Sequence, residues 1–409
     1  MSKAFAPTPN GVPPGGGLGL KVVNFGRNIP GPVAGLLLAD LGAEVIKVEN
    51  PLTGDGNRAF HPLVHGQGVF HWALNAGSRS VAIDPHERRW LPCVKALSQW
   101  ADVAIVGGGA KRSEKLGLGC AQLLTHNPRL VYVSITGYGE AGPWRDYPAH
   151  GLNPDAFAGI VPIEWSDGSP SPPPHYQSTG ASLSGVFGAL GALAGIRRRD
   201  ATGEGQYVHV SMLGSAVWWN WRNVVSLANL GESWWSYENM GSRYATYETS
   251  DARVLLIAPL ERPFWEKFCE VAGLPTEWAM RGQWDQGDGY DRGAGNDEER
   301  RVIAAQLRTR SLAYWCTALA AADIPFAPIL SGSELLASEH AMATSLIREA
   351  EADGRSALIP SSPVSIGFSE SETCATAAPV HAPGLGEDTN AVLEMLGIVS
   401  MPSTGESKE

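Results

Sequence analysis

The chain has 409 residues, 44% hydrophobic and 18% charged, which is enough for a large core and favours two domains over one. A formal charge of -11 excludes a binder of nucleic-acid backbones, whose affinity comes from dense Lys and Arg, so a phosphate ligand must meet a local basic pocket. Five scattered cysteines (Cys93, Cys120, Cys269, Cys316 and Cys374) contain no C-x-x-C pair. They suggest neither a zinc site nor a disulfide framework, and a reducing cytoplasm is the simplest setting.

Residues 1–17, "MSKAFAPTPNGVPPGGG", read as a flexible leader without the apolar core of a signal peptide, and nothing later reads as a continuous membrane span. Then "LKVVNF" (20–25), a helical "PGPVAGLLLADLGAE" (30–44) and "VIKVEN" (45–50) open an alternation of strands and helices. Further strands are predicted at 80–84, 102–107 and 129–137, with helices in "RRWLPCVKALSQWA" and "AQLLTHN" between them. This pattern implies an α/β fold with a Rossmann-like parallel sheet, although no G-x-G-x-x-G follows the first strand.

A proline-rich connection, "SDGSPSPPPHY" (166–176), leads into a long helix rich in Gly and Ala that ends in "IRRRDATGEGQ", basic and then Gly-rich. Residues 244–274 read as two strands and an amphipathic helix of a second, small α+β domain. The expected layout is a large domain from 18–215 and 330–400 with its linkers, a small domain over 216–329, and a fraying tail over 401–409. Fourteen Trp, clustered in "VWWNWRN" and "ESWWSYENM", point to core and interface packing or to an apolar acyl pocket.

Six motifs carry a more specific signal: "IPGPVAGLLLADLGAEVIKVENPLTGDGNR", "LNAGSRSVAID", "NPRLVYVSITGYGEAGPW", "ATGEGQYVHVSML", "PLERPFWEKFCEVAGLP" and "APGLGEDTNAVLEML". In this order, from about Leu18 to Ile398, they resemble the family III CoA-transferases, the group of formyl-CoA transferase, carnitine CoA-transferases and α-methylacyl-CoA racemase. The resemblance implies an interlocked dimer of ring-shaped chains, each with a Rossmann-like large domain and a small domain. It implies coenzyme A thioesters and carboxylic acids as substrates, with no permanently bound cofactor, metal, nucleic acid or membrane partner.

Transferases of this family use an Asp at the start of the helix after the proline-rich connection. It attacks the thioester to give a mixed anhydride and then an enzyme thioester. Counting back from "GALGAL" puts that position on Ser178, whose hydroxyl cannot form an anhydride and is a poor base without help. His175 could activate it, and Glu164 or Asp167 could stand in for the missing acid. His150, with Asn153 beside it, and Glu261 fall on active-site positions of the racemase branch, where proton transfer at the α-carbon is the chemistry.

The stretch expected to contact CoA is replaced by "VGGGAKRSEKLGLG" (106–119), so Lys111 and Arg112, together with Arg58 and Arg79, are the candidates for its phosphates. Three readings follow. The chain is one subunit of a heteromeric CoA-transferase with the Asp on a paralogous partner, a self-sufficient racemase-like isomerase, or a non-catalytic acyl-CoA-binding scaffold.

Overall fold

The computed structural model describes residues 18–234, 241–284, 289–366 and 379–398. Its chain divides into two compact units, one of residues up to Trp221 with those from Glu339 onward, the other Arg222–Ser338. The first is built on six parallel strands: β1 (Lys21–Asn24), β2 (Glu44–Glu49), β3 (Ser78–Ala82), β4 (Val103–Gly107), β5 (Val131–Thr136) and β6 (Gln206–Ser211), in the order β3-β2-β1-β4-β5-β6. That order is the doubly wound one, which reverses between β1 and β4.

Both faces of the sheet are covered, and the side-chain period of two assigns alternate residues to opposite cores. Val22, Val45 and Val103 face one layer with Leu38 of α1 (Pro30–Asp40), whereas Val23, Ile46 and Ala104 face the other with Val94 and Leu97 of α3 (Trp90–Trp100). α2 (Val69–Asn75) lies between β2 and β3 in sequence. The chain returns to this unit at its end, where Val392 and Leu393 join the α3 core and Asp388 accepts a hydrogen bond from the β3 backbone at Ser80 (2.9 Å).

The next helices are α4 (Ala110–Lys115), α5 (Cys120–His126), α6 (Leu152–Phe157) and the 24-residue α7 (Thr179–Thr202). Small residues let α7 lie directly on its neighbours: a Cβ at Gly185 would come 2.5 Å from Val33 Cβ, and one at Gly191 2.5 Å from Val208 Cγ1. Gly203, at φ +79°, ends the helix in the left-handed region and donates its N–H to Arg199 O. By length and composition α7 could cross a membrane, which the sequence reading did not flag. In this fold its Gly and Ala face is consumed in packing against α1, β5 and β6, and against α8 (Met212–Trp219).

The second unit begins within α9 (Trp221–Leu230) and pairs β7 (Ala245–Glu248), β8 (Val254–Ile257) and β9 (Phe326–Pro328) in an antiparallel sheet. α10 (Arg262–Val271), α11 (Asp297–Leu307) and α12 (Leu312–Ala321) cover it. Its core is where several tryptophans go: Trp265, Trp278 and Trp315 are buried with Phe268 and Leu255. Arg243 lies 3.9 Å above the Trp265 ring and is paired bidentately with buried Glu299 (2.9 Å for each bond). The Trp cluster behaves differently, since Trp218, Trp219 and Trp221 are all more than half exposed.

Candidate active site

A cleft of about 1020 Å³ opens at the carboxyl ends of the strands, where the strand order reverses, and is lined by the β1–α1 turn, the β4–α4 loop and the start of α7. The first wall is the turn Gly26–Ile29, held by buried polar groups. Lys47, 1% exposed, projects from β2 to donate to Gly26 O and to pair with Asp55 (2.7 Å). Asp55 in turn accepts from the backbone N–H of Asn28 (2.9 Å), and Asn24 accepts from Gly26 N (2.9 Å) while donating to Gly31 O (2.8 Å). Gly26 and Gly31 touch so closely that a Cβ on Gly26 would lie 2.7 Å from Gly31 Cα.

Behind the turn, Glu49 accepts two bonds from Arg58 (2.8 and 2.7 Å), one from Ser80 Oγ (2.7 Å) and one from the Asp55 N–H (2.9 Å). Burial alone would raise the pKa of Glu49, and the Arg58 guanidinium outweighs it, bringing the carboxyl down to about 2. His71, wholly buried, bonds through Nε2 to Pro383 O (3.0 Å). Burial, reinforced by the charge of Arg58, lowers its pKa to about 4.

The second wall is the loop Gly107–Gly109, which takes φ of +100° at Gly108 and +83° at Gly109, a region open to glycine, and leads into Lys111 and Arg112 of α4. Both cations line the cleft. Lys111 is exposed and pairs with Asp146 (2.7 Å); Arg112 has no ion pair among the described residues. Arg58 and Arg79 do not join them. Arg58 is engaged by Glu49 and Pro383 O (3.2 Å), and Arg79 by Glu44 (3.1 Å) and Asp388 (3.2 Å), and neither is part of the cleft lining. Arg27, which the sequence reading passed over, lines the cleft instead.

At the third wall, the entry to α7, Ser178 is the N-cap residue but makes no capping bond; its hydroxyl proton goes to Gly151 O (2.6 Å). A carbonyl is no base, and no hydrogen bond joins His175 to this hydroxyl among the described residues. The residue of α7 that lines the cleft is Ala181, not Ser178. A carboxylate does sit at this helix N-terminus, but it is Asp155 of α6. Fully buried, it accepts from the N–H groups of Thr179 and Gly180 (2.8 Å each) and from Tyr176 OH (3.0 Å). Tyr176 is accordingly pushed up to about 12, by burial first and by the Asp155 charge second.

His150 is exposed and lines the cleft beside Gly151. Asn153 accepts from the His150 backbone N–H (2.8 Å), so it shapes the turn rather than orienting the imidazole. Glu261 belongs to the second unit, where it is the residue before α10. Glu164 and Asp167 are exposed in a hairpin, outside the cleft lining. Of the other cleft-lining acids, Asp84 accepts from His86 N (2.9 Å) and Asp146 pairs with Lys111.

The comparisons agree with this architecture. The family model for CoA-transferase family III matches residues 18–389. A (R)-2-hydroxy-4-methylpentanoate CoA-transferase of Clostridioides difficile is 28% identical, over 93% of this chain and 95% of its own. A succinyl-CoA–L-malate CoA-transferase beta subunit of Chloroflexus aurantiacus is 25% identical, over 93% of this chain and 94% of its own. A CaiB/BaiF family protein from Brucella suis shares the fold with a TM-score of 0.73 at 24% identity, covering 92% of this chain and 98% of its own. With nearly the whole chain matched, and a cleft at the switch point of the sheet to match, the protein belongs to CoA-transferase family III and is a CoA-transferase.

Proposed function

We propose that this chain binds a coenzyme A thioester in the switch-point cleft as one subunit of a heteromeric CoA-transferase, with the carboxylate nucleophile carried by a paralogous partner. The observation that carries the reading is the first turn of α7, which holds no acidic residue and turns Ala181 toward the cleft. Of the acids that line the cleft, Glu49 and Asp55 are engaged in buried ion pairs, and Asp155 already serves the helix N-terminus. Lys111 and Arg112 hold the CoA phosphates, and the substrates are an acyl-CoA and a free carboxylic acid.

The dimer, of this chain with itself or with the paralogue, is supported by the apolar surface left by Trp218, Trp219, Leu190 and Val186.

The test is reconstitution. The chain alone transfers CoA between no donor and acceptor pair, and transfer appears when an Asp-bearing paralogue is added. A hydroxylamine-sensitive enzyme thioester on the isolated chain sinks the proposal.

A second reading, a racemase-like isomerase, rests on His150, which is exposed and lines the cleft. Exchange of the α-proton of an acyl-CoA in heavy water by the chain alone, abolished in His150→Gln, would favour it over the subunit reading.

A further inference from the structure

We propose that Asp146 is an internal stand-in for a phosphate of coenzyme A: it occupies Lys111 in the free chain, and CoA binds by displacing it. The inference rests on the CoA reading of the cleft given above. The acids that line the cleft are Glu49, Asp55, Asp84 and Asp146. The first three shape its walls, Glu49 and Asp55 through buried ion pairs behind the β1–α1 turn and Asp84 by accepting from the backbone N–H of His86 (2.9 Å). Asp146 is spent on cations instead. Among the described residues its carboxylate accepts no backbone N–H; one oxygen takes the hydrogen bond from Lys111 (2.7 Å), and the other lies 3.5 Å from Arg145 Nε.

The turn that carries Asp146 is fixed by other means. Tyr147 donates its N–H to Trp144 O (2.9 Å) and closes the turn. The two rings that flank Asp146 and Arg145 in sequence belong to one aromatic cluster: Trp144 packs on Phe157 at the end of α6 (centroids 4.7 Å apart), Tyr147 on Tyr138 (6.2 Å), and Tyr138 on Phe157 (5.2 Å). Asp146 and Arg145 are thereby presented to the cleft together, against Lys111 at the start of α4.

Magnitudes decide the exchange. The side chains of Lys111 and Asp146 are 71% and 51% exposed, and an ion pair so open to water gains little from its Coulomb attraction. A phosphate monoester carries about two charges and several acceptor oxygens, so it outcompetes a single carboxylate for the same cations. The internal pair is weak enough to be given up, yet every binding event must give it up, and the freed carboxylate remains beside the incoming phosphate as a like charge. Asp146 therefore lowers the affinity for CoA on both counts and re-forms its pair when CoA leaves.

Calorimetric titration of CoA into the wild-type chain, Asp146→Asn, Lys111→Met and the double variant tests this. Asp146→Asn should tighten CoA binding about threefold or more, the scale of an exposed pair and the repulsion that follows its rupture. Lys111→Met should weaken binding about tenfold, as loss of a charge-assisted bond to phosphate does. In the Lys111→Met background the gain from Asp146→Asn should fall below about twofold, because no pair is left to break. Wild-type affinity in Asp146→Asn would overturn the proposal. So would an equal gain in both backgrounds, which would make Asp146 a general negative charge at the cleft mouth and not the occupant of Lys111. Equal CoA affinity with and without Lys111 removes Lys111 from the phosphate site, and the proposal with it, whereas a wild-type chain that binds no CoA removes the CoA reading of the cleft itself.

Discussion

The two glycine-bearing loops that face each other across the switch point are built on opposite plans. The β1–α1 turn is held by a wholly buried ion pair, a buried Asn and the close approach of Gly26 to Gly31. The β4–α4 loop takes its shape from positive φ at Gly108 and Gly109, with the backbone N–H and hydroxyl of Ser113 bonding to Gly109 O (3.2 and 3.1 Å). Both loops carry cations into the cleft, Arg27 on the pinned turn and Lys111 and Arg112 on the open one. The difference teaches that a fixed wall here is encoded by buried charge contributed by other strands, whereas an adaptable one needs only glycine.

The largest expected effect breaks the pinned side. Lys47→Met leaves Asp55 buried without its counter-charge, which should cost about 3–5 kcal/mol of folding stability. Urea unfolding would measure it, and Lys47→Met combined with Asp55→Leu should recover much of the loss because no lone charge remains. A loss below about 1 kcal/mol in the single variant would mean that the turn is held mainly by its backbone.

Acid should loosen the same side, in two steps. His71 and Glu49 both have folded-state pKa values below their unfolded values, about 4 against 6.5 and about 2 against 4.5. The unfolded chain therefore takes up the proton first, and the stability these groups contribute is present above the unfolded value and lost as pH falls. The His71 contribution is lost between pH 6.5 and 4, and that of Glu49 between 4.5 and 2, each amounting to about 3 kcal/mol. Unfolding free energies at pH 7, 5.5 and 4 should fall steadily in the wild type and much less steeply in His71→Gln, whose amide can still donate to Pro383 O.

The α7 entry is a third kind of wall, fixed by Asp155. A carboxylate at Ser178 would be welcome at a bare helix N-terminus, but here the N–H groups of Thr179 and Gly180 already serve Asp155. Ser178→Asp also removes the bond to Gly151 O and places a like charge near Asp155, so it should cost about 1–2 kcal/mol at neutral pH. Thermal unfolding at pH 7 and pH 4 checks the cause, because repulsion should ease as the new carboxyl is protonated.

Much of the fold was legible because buried parallel strands are continuous apolar runs, as "VAIVG" and "VYVSIT" show. The sixth strand was not, since "QYVHVS" alternates exposed and half-buried residues at the edge of the sheet and follows directly on the Gly-rich end of α7. The site was less legible because its partners are distant in sequence. Arg79 meets Asp388 309 positions away, and Asp155 meets Thr179 24 positions away, so a local motif reveals neither the occupied guanidinium nor the true occupant of the helix N-terminus. Arg27 stands alone as a charge in "NFGRNIPG", and only the fold of the β1–α1 turn brings it to the cleft lining. His150 drew notice through its motif neighbour Asn153, whose contact proved to be with the backbone.

The smallest expected effect sharpens the contrast between the loops. Gly109 has φ +83° with nothing within 4 Å of where a Cβ would lie, so Gly109→Ala meets only the conformational penalty of a positive φ, about 1 kcal/mol. Gly26→Ala carries no such φ but drives its methyl against Gly31 Cα, which the surrounding buried bonds keep from yielding, and overpacking of this kind costs about 1–3 kcal/mol. Thermal unfolding of the two variants should therefore rank them, Gly26→Ala the less stable. Binding should rank them the other way for CoA itself, because Gly109 precedes α4 and its conformation aims Lys111 and Arg112 at the cleft. Equal losses of stability would show that the β4–α4 loop is held as firmly as the turn opposite. Unchanged CoA affinity in Gly109→Ala would separate its cations from the phosphate site.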